Sequence, residues 1–159
     1  MDKAELIEKL SQALGAAHAA ADRLARDTAE AANHPEARPD SDKDTRKIEL
    51  SYLAAGQAAR AAELETAIAM VSALELRAFR PEEAVALGAL VTLDVAGKQQ
   101  RVFLCSVGGG EKLRVEGGEV SVVTPQSPLG AGLIGKTAGE AFELRVAGQI
   151  REVEILALE

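Results

Sequence analysis

Tryptophan is absent from this 159-residue sequence, and three Phe and one Tyr bring aromatics to only 3%. A core of any size must then be built from Ala, Leu, Val and Ile. Cysteine is nearly absent too. The single Cys105 excludes an internal disulfide, and no CxxC or Cys/His spacing points to zinc. Within VFLCSV it reads as a small buried strand residue rather than a reactive thiol. Positive charge is short: 18 Lys and Arg against 25 Asp and Glu leave −7. Binding to nucleic acid needs clustered cations on phosphates, so direct duplex DNA binding is not expected. A protein that itself carries nucleic acid remains open as a partner. Long apolar runs are missing as well. The opening MDKAELIEKL carries charges throughout, which fits neither a signal peptide nor a membrane span, and the cytoplasm is the simplest compartment.

Residues 1–75 have only Gly15 and Gly56 as glycines and only Pro35 and Pro39 as prolines. Leu6, Leu10, Leu14, Ala17, Ala21, Leu24, Thr28 and Ala31 recur at steps of three or four, the mark of one helix face. Ile48, Tyr52, Ala55, Ala59, Ala62 and Thr66 do the same, with Ile68, Val71 and Leu74 extending the apolar side. Small alanine seams let two helices approach closely. Between the runs, Pro35 and Pro39 forbid a continuous helix, and Asp, Asn and Ser supply turn and cap chemistry. Asp42 or Asp44 caps the second helix. A short break between two similar helical runs predicts an antiparallel hairpin whose tip spans about residues 34–46.

The texture then changes. Pro81 and Gly88 mark a linker over 76–89. From residue 90 to 159 short Val-rich runs (LVTLDV, RVFLCSV, KLRV, EVSVV, AFELRV, IREVEIL) alternate with turn signals (AGK, GGGE, EGGE, AGQ). SPLGAGLIGK breaks the rhythm: Pro128 can open a short helix and Gly135 can end it. The expected class is α+β, a helical hairpin followed by a small antiparallel sheet with a short helix against it. GGGE lacks the Lys-Ser/Thr of a phosphate loop and reads as a hairpin turn.

Two clusters carry candidate chemistry. Asp40, Asp42 and Asp44 stand at alternate positions in the hairpin tip, flanked by Arg38, Lys43, Arg46 and Lys47. Asp-x-Asp-x-Asp also opens a calcium loop, but Thr45 and Ser51 stand where the required Gly and terminal Glu belong. Acids at a helix start are favourable with its dipole in any case. His18 and His34 have no partner at ligand spacing.

The segment EVSVVTPQSPLGAGLIGKTAGEAFEL, residues 119–144, resembles the C-terminal signature of the Gre transcript cleavage factor family (GreA/GreB-like). The matching positions are Ser127, Pro128, Leu133, Ile134, Gly135, Lys136, Gly139 and Glu140, without gaps. The resemblance implies a coiled-coil N-terminal domain and an FKBP-like C-terminal domain. It implies bacterial RNA polymerase as partner, entered through its secondary channel, with nascent RNA met only indirectly. It implies docking at the channel rim through Ser127, Pro128 and Leu129, and tip acids carried toward the polymerase's catalytic Mg²⁺. A second metal held there by extra carboxylates favours phosphodiester hydrolysis. The family's cleavage members carry an Asp-Leu-Ser-Glu-Asn-Ala-Glu-Tyr tip. Here Asp40 falls near the family's Asp, and Lys43 stands where its Glu would be.

The expected function is therefore a secondary-channel elongation factor that modulates elongation and backtracking, with stimulation of transcript cleavage through the tip carboxylates as one variant. The alternatives are a Gre-like inhibitor or an FKBP-like folding module. No enzymatic turnover of its own and no cofactor of its own are expected. An isomerase pocket is normally lined by aromatics, whereas only Phe79, Phe103 and Phe142 are available, scattered over three elements.

Overall fold

A computed structural model describes residues 2–34 and 41–159, with the backbone alone for 41–44. Two long helices, α1 (Lys3–Asn33) and α2 (Ser41–Ser72), precede six strands and one short helix: β1 (Leu90–Val95), β2 (Lys98–Leu104), β3 (Lys112–Val115), β4 (Gly118–Val123), α3 (Pro128–Leu133), β5 (Ala141–Val146) and β6 (Gln149–Leu158). The chain divides into two compact units, one of residues 12–69 and one of residues 1–11 with 70–159.

The 12–69 unit is the helical hairpin. The Asp2 carboxylate caps the start of α1 by accepting from the Ala4 N–H at 2.8 Å. At 1.5 Å per residue, 31 residues make α1 about 46 Å long. Its covered stripe runs Leu6, Leu10, Leu14, Ala17, Ala21, Ala25, Thr28, Ala32, with steps of four, four and three. That 11-residue repeat matches an almost straight helix, whereas a heptad would drift. Thr28 is buried on this stripe and donates its hydroxyl to the Leu24 carbonyl at 2.6 Å, so no polar group is stranded.

The buried faces differ from those expected in two places. On α1, Ala25 and Ala32 are buried in place of Leu24, which is 46% exposed, and Ala31. On α2 the covered stripe is Leu50, Ala54, Gln57, Ala61, Leu64, Ile68, Val71; the expected Ile68 and Val71 lie on it, but the expected face from Ile48 to Thr66 turns outward, with Ile48 56% and Tyr52 77% exposed. The reason is aliphatic area. The Leu50-to-Val71 stripe sets Leu64, Ile68 and Val71 in one heptad line, while the other face offers mostly alanine below Tyr52. α2 also begins earlier than expected: it starts at Ser41, so Asp42 and Asp44 fall inside its first turn rather than at its cap.

The second unit is built on a six-stranded sheet of order β3-β4-β2-β1-β6-β5. The expected sheet was wholly antiparallel, but β2 and β4 run parallel. Two local constraints produce this. The β3–β4 turn is tight, with Gly117 and Gly118 at φ 96° and 119°, so the two strands stay paired. Residues 105–111 then give the chain enough length to pass the place beside β2 and set β3 at the edge, leaving β4 next to β2. The β1–β2 and β5–β6 connections are two-residue turns, Ala96–Gly97 and Ala147–Gly148, with positive φ at both positions.

Val91, Leu93, Val102, Val153 and Ile155 build the core on one face, closed by Leu133 of α3 and by Phe79, Val85 and Ala89 from the preceding segment. Leu90 pairs with Phe103 across the strands and both are fully buried on the opposite face. Leu6 and Leu10 are also fully buried in this unit, with Leu10 against Gly108. Cys105, one residue past β2, is buried, and its N–H donates to the Val123 carbonyl at 3.0 Å.

Candidate functional site

The segment from Thr124 to Glu140 leaves β4, turns, forms α3 and returns to the sheet. Pro128 opens α3 at its first turn, where a missing N–H costs nothing. Ser127 sits before it in extended conformation. Its hydroxyl donates to the Thr124 carbonyl at 2.8 Å and accepts from the Gly130 N–H at 3.0 Å. The Ser127 N–H also donates to the Thr124 carbonyl, at 3.0 Å. One hydroxyl thus locks both the turn and the helix start.

This locking draws the backbone so close that only glycine fits at 130. A Cβ there would lie 2.0 Å from the Thr124 oxygen. At Gly132 a Cβ would lie 2.3 Å from the Phe142 ring, so α3 rests directly on β5. Neither glycine was singled out in the sequence. The available signal was two glycines within a six-residue helix, which a helix tolerates only where something approaches closely.

Beyond α3, the Gly135 N–H donates to the Val85 carbonyl at 3.0 Å and the Val85 N–H to the Lys136 carbonyl at 2.7 Å. Lys136 lies 5.8 Å from the Phe142 ring centre and 3.6 Å from the Glu140 carboxylate. Glu140 accepts from the Thr137 N–H at 2.6 Å and its hydroxyl at 3.1 Å. The Thr137 backbone bond first, then its hydroxyl, hold the Glu140 carboxyl below its ordinary value of 4.5. A carboxylate with a depressed folded pKa stabilises the fold above the unfolded pKa and loses that contribution as pH falls through the folded value. We therefore expect Glu140→Gln to lower the thermal midpoint at pH 7, and the gap to the unmodified chain to close as pH falls below 4.5. Melting curves of both proteins across pH 2–7 check this, roughly the range over which carboxylates titrate.

Over Ser127–Ile134, a ridge on this segment, what faces outward is mainly apolar and carries no charge. Pro128 and Ala131 are exposed, Ile134 is 45% exposed, Ser127 is half-buried, and Leu129 is partly buried against the core. Leu133 packs inward, whereas Ile134 faces solvent, because the chain turns at Gly135 with φ 80°. The segment is thus held by its own hydrogen bonds and leaves a short apolar strip exposed. Among the described residues no group of three or more His, Cys, Asp or Glu is placed to hold a metal ion.

The tip residues fare differently. Arg38 and Asp40 lie outside the described residues, as do the side chains of Asp42, Lys43 and Asp44. Arg46 and Lys47 are exposed on the first turns of α2. Lys47, Ile48, Ser51, Tyr52 and Ala55 line a shallow groove of about 390 Å³ on its outward face. His18 is half-buried and His34 exposed. Of the three phenylalanines, Phe103 is fully buried, and Phe79 and Phe142 line different cavities. Among the described residues no helix is long and apolar enough to cross a membrane.

A family profile described as "Transcription elongation factor, GreA/GreB, C-term" matches residues 80–159 of this chain, which include the whole ridge. Among solved structures, GreA factor homolog 1 (Gfh1) of Thermus thermophilus is 20% identical at a TM-score of 0.39, covering 96% of this chain and 94% of its own. Gfh1 of Thermus aquaticus is 22% identical at 0.39, covering 96% and 92%. The GreA/GreB elongation factor of Nitrosomonas europaea is 17% identical at 0.37, covering 60% and 78%. Likeness at this level carries no functional weight. No curated protein matches the sequence.

Proposed function

Because this chain belongs to the GreA/GreB transcription elongation factor family, we propose that it binds bacterial RNA polymerase at the secondary channel and restrains elongation there without stimulating transcript cleavage. The match over residues 80–159 supports the partner. The ridge supplies a docking surface of suitable chemistry: Ser127, Pro128 and Leu129, joined by the exposed Ile134, on a backbone fixed by the Ser127 hydroxyl. Exposed apolar residues on a rigid loop favour a protein partner over nucleic acid, and the net charge of −7 agrees.

The hairpin would enter the channel. Ile48 and Tyr52, turned outward near its tip, give it an apolar face for a protein wall. The single observation that favours restraint over cleavage is Lys43, which takes the place of the carboxylate that the family's cleavage members carry. A cation there repels the metal that hydrolysis requires, while Asp40, Asp42 and Asp44 remain able to pair with cations. The protein has no turnover of its own, and the polymerase performs all bond-making and bond-breaking.

A stalled elongation complex tests this reading. The unmodified chain is expected to slow nucleotide addition and to leave backtracked transcripts intact. Cleavage that disappears in a chain carrying Asp40→Asn, Asp42→Asn and Asp44→Asn would overturn the restraint reading in favour of a cleavage factor.

A further inference from the structure

β5 is the last strand of the sheet, and among the described residues no strand lies beyond it. We propose that the chain self-associates by antiparallel pairing of β5 with β5 of a second copy, centred on Leu144.

The backbone fixes which residues are available. The Ala147–Gly148 turn has φ 51° and 76°, the two-residue hairpin type whose closing pair, Val146 with Gln149, is hydrogen-bonded. Alternation along an antiparallel ladder then aims the N–H and C=O groups of Phe142, Leu144 and Val146 at β6. Those of Ala141, Glu143 and Arg145 point away from the sheet. A two-fold pairing must set outward-aimed residues against one another, so its axis falls on a residue rather than between two.

Charge chooses among the central axes. An axis at Glu143 opposes that carboxylate with itself, and one at Arg145 opposes guanidinium with guanidinium. An axis at Leu144 sets Glu143 against Arg145 of the second copy, and by symmetry does so twice. It also sets Phe142 against the second copy's Val146, which is 47% exposed in the single chain.

The single chain also leaves a charge conflict that this pairing relieves. Glu143 lies directly opposite Glu152 of β6, and like charges at opposed positions destabilise a sheet. Within the chain Glu143 meets Arg145 only at 4.0 Å, with both side chains largely exposed. Arg145 of the second copy adds a cation beside that acidic pair. An edge of six residues makes a small interface, so the association is weak and concentration-dependent.

Sedimentation equilibrium of the full chain from ~10 µM to ~1 mM at low salt tests the proposal in the range where weak interfaces associate. The unmodified protein is expected to follow a monomer–dimer equilibrium. Arg145→Glu and Glu143→Arg should each weaken it by about tenfold or more, because every altered pair occurs twice. The double variant Glu143→Arg/Arg145→Glu should restore it to within about threefold, since the opposed charges are exchanged rather than lost. A monomer at all concentrations, or single and double variants that associate alike, overturns it. Circular dichroism melts of each variant confirm that the fold is kept. No polymerase enters the experiment, so its outcome stands apart from the functional reading above.

Discussion

Gly130→Ala is expected to cost on the order of 3–4 kcal/mol and to lower the thermal midpoint of the sheet-containing unit by roughly 15 °C or more. The new methyl would sit 2.0 Å from the Thr124 oxygen and 2.7 Å from its carbonyl carbon. Both are backbone atoms, so no side chain can swing aside. Relief requires residues 124–130 to separate, and that breaks the three hydrogen bonds through which Ser127 holds Thr124 and Gly130. Overpacking and cap loss therefore add, against a total stability of only about 5–15 kcal/mol for an ordinary domain. Gly56→Ala is the control. Nothing lies within 4 Å of a Cβ there, the position is mid-helix, and a gain of about 0.5–1 kcal/mol is expected. Thermal and urea unfolding of both variants measure the contrast. A midpoint for Gly130→Ala near that of the unmodified chain would contradict the geometry described for the ridge.

Leu10 and Gly108 form a coupled pair whose variants should not add. Leu10 is fully buried, and Leu10→Ala is expected to cost about 2–5 kcal/mol through lost transfer energy and the cavity left behind. Gly108 holds φ 74°, and a Cβ there would lie 2.7 Å from the Leu10 Cδ1. Gly108→Ala thus carries a backbone penalty of about 1–2 kcal/mol together with a clash. In the double variant the clash vanishes, because the leucine's outer carbons are gone, while the backbone penalty stays. The double cost should fall short of the sum by about 1 kcal/mol, well outside the 0.3–0.5 kcal/mol scatter of independent sites. Urea unfolding of the four proteins gives the coupling, and strict additivity would sink the proposed contact.

Much of this was legible in the residues, for identifiable reasons. Helix existence followed from long runs without breakers, and strand existence from short Val-rich runs between glycine turns, since both signals are local. Facing was harder. Ile48 and Tyr52 point to the outward side of the first half of α2, because a sequence of near-uniform alanine leaves few large residues to mark the core, and Leu50 and Leu64 alone mark the covered line there. The parallel β2–β4 pairing was illegible, since it depends on where a seven-residue connection deposits β3 and not on any residue pattern. At the ridge, the Ser-Pro start of α3 was readable from cap chemistry. The exposure of Ile134 was not, because it depends on the direction the chain takes at Gly135.

The central claim is that this chain grips bacterial RNA polymerase through the Ser127–Ile134 ridge. Titrating the fluorescently labelled chain with core polymerase at ordinary salt tests it most directly. The account predicts saturable one-to-one binding, weakened about tenfold or more by Ile134→Glu, which buries a charge at the contact. Absence of saturable binding, or binding that Ile134→Glu leaves unchanged, would contradict it.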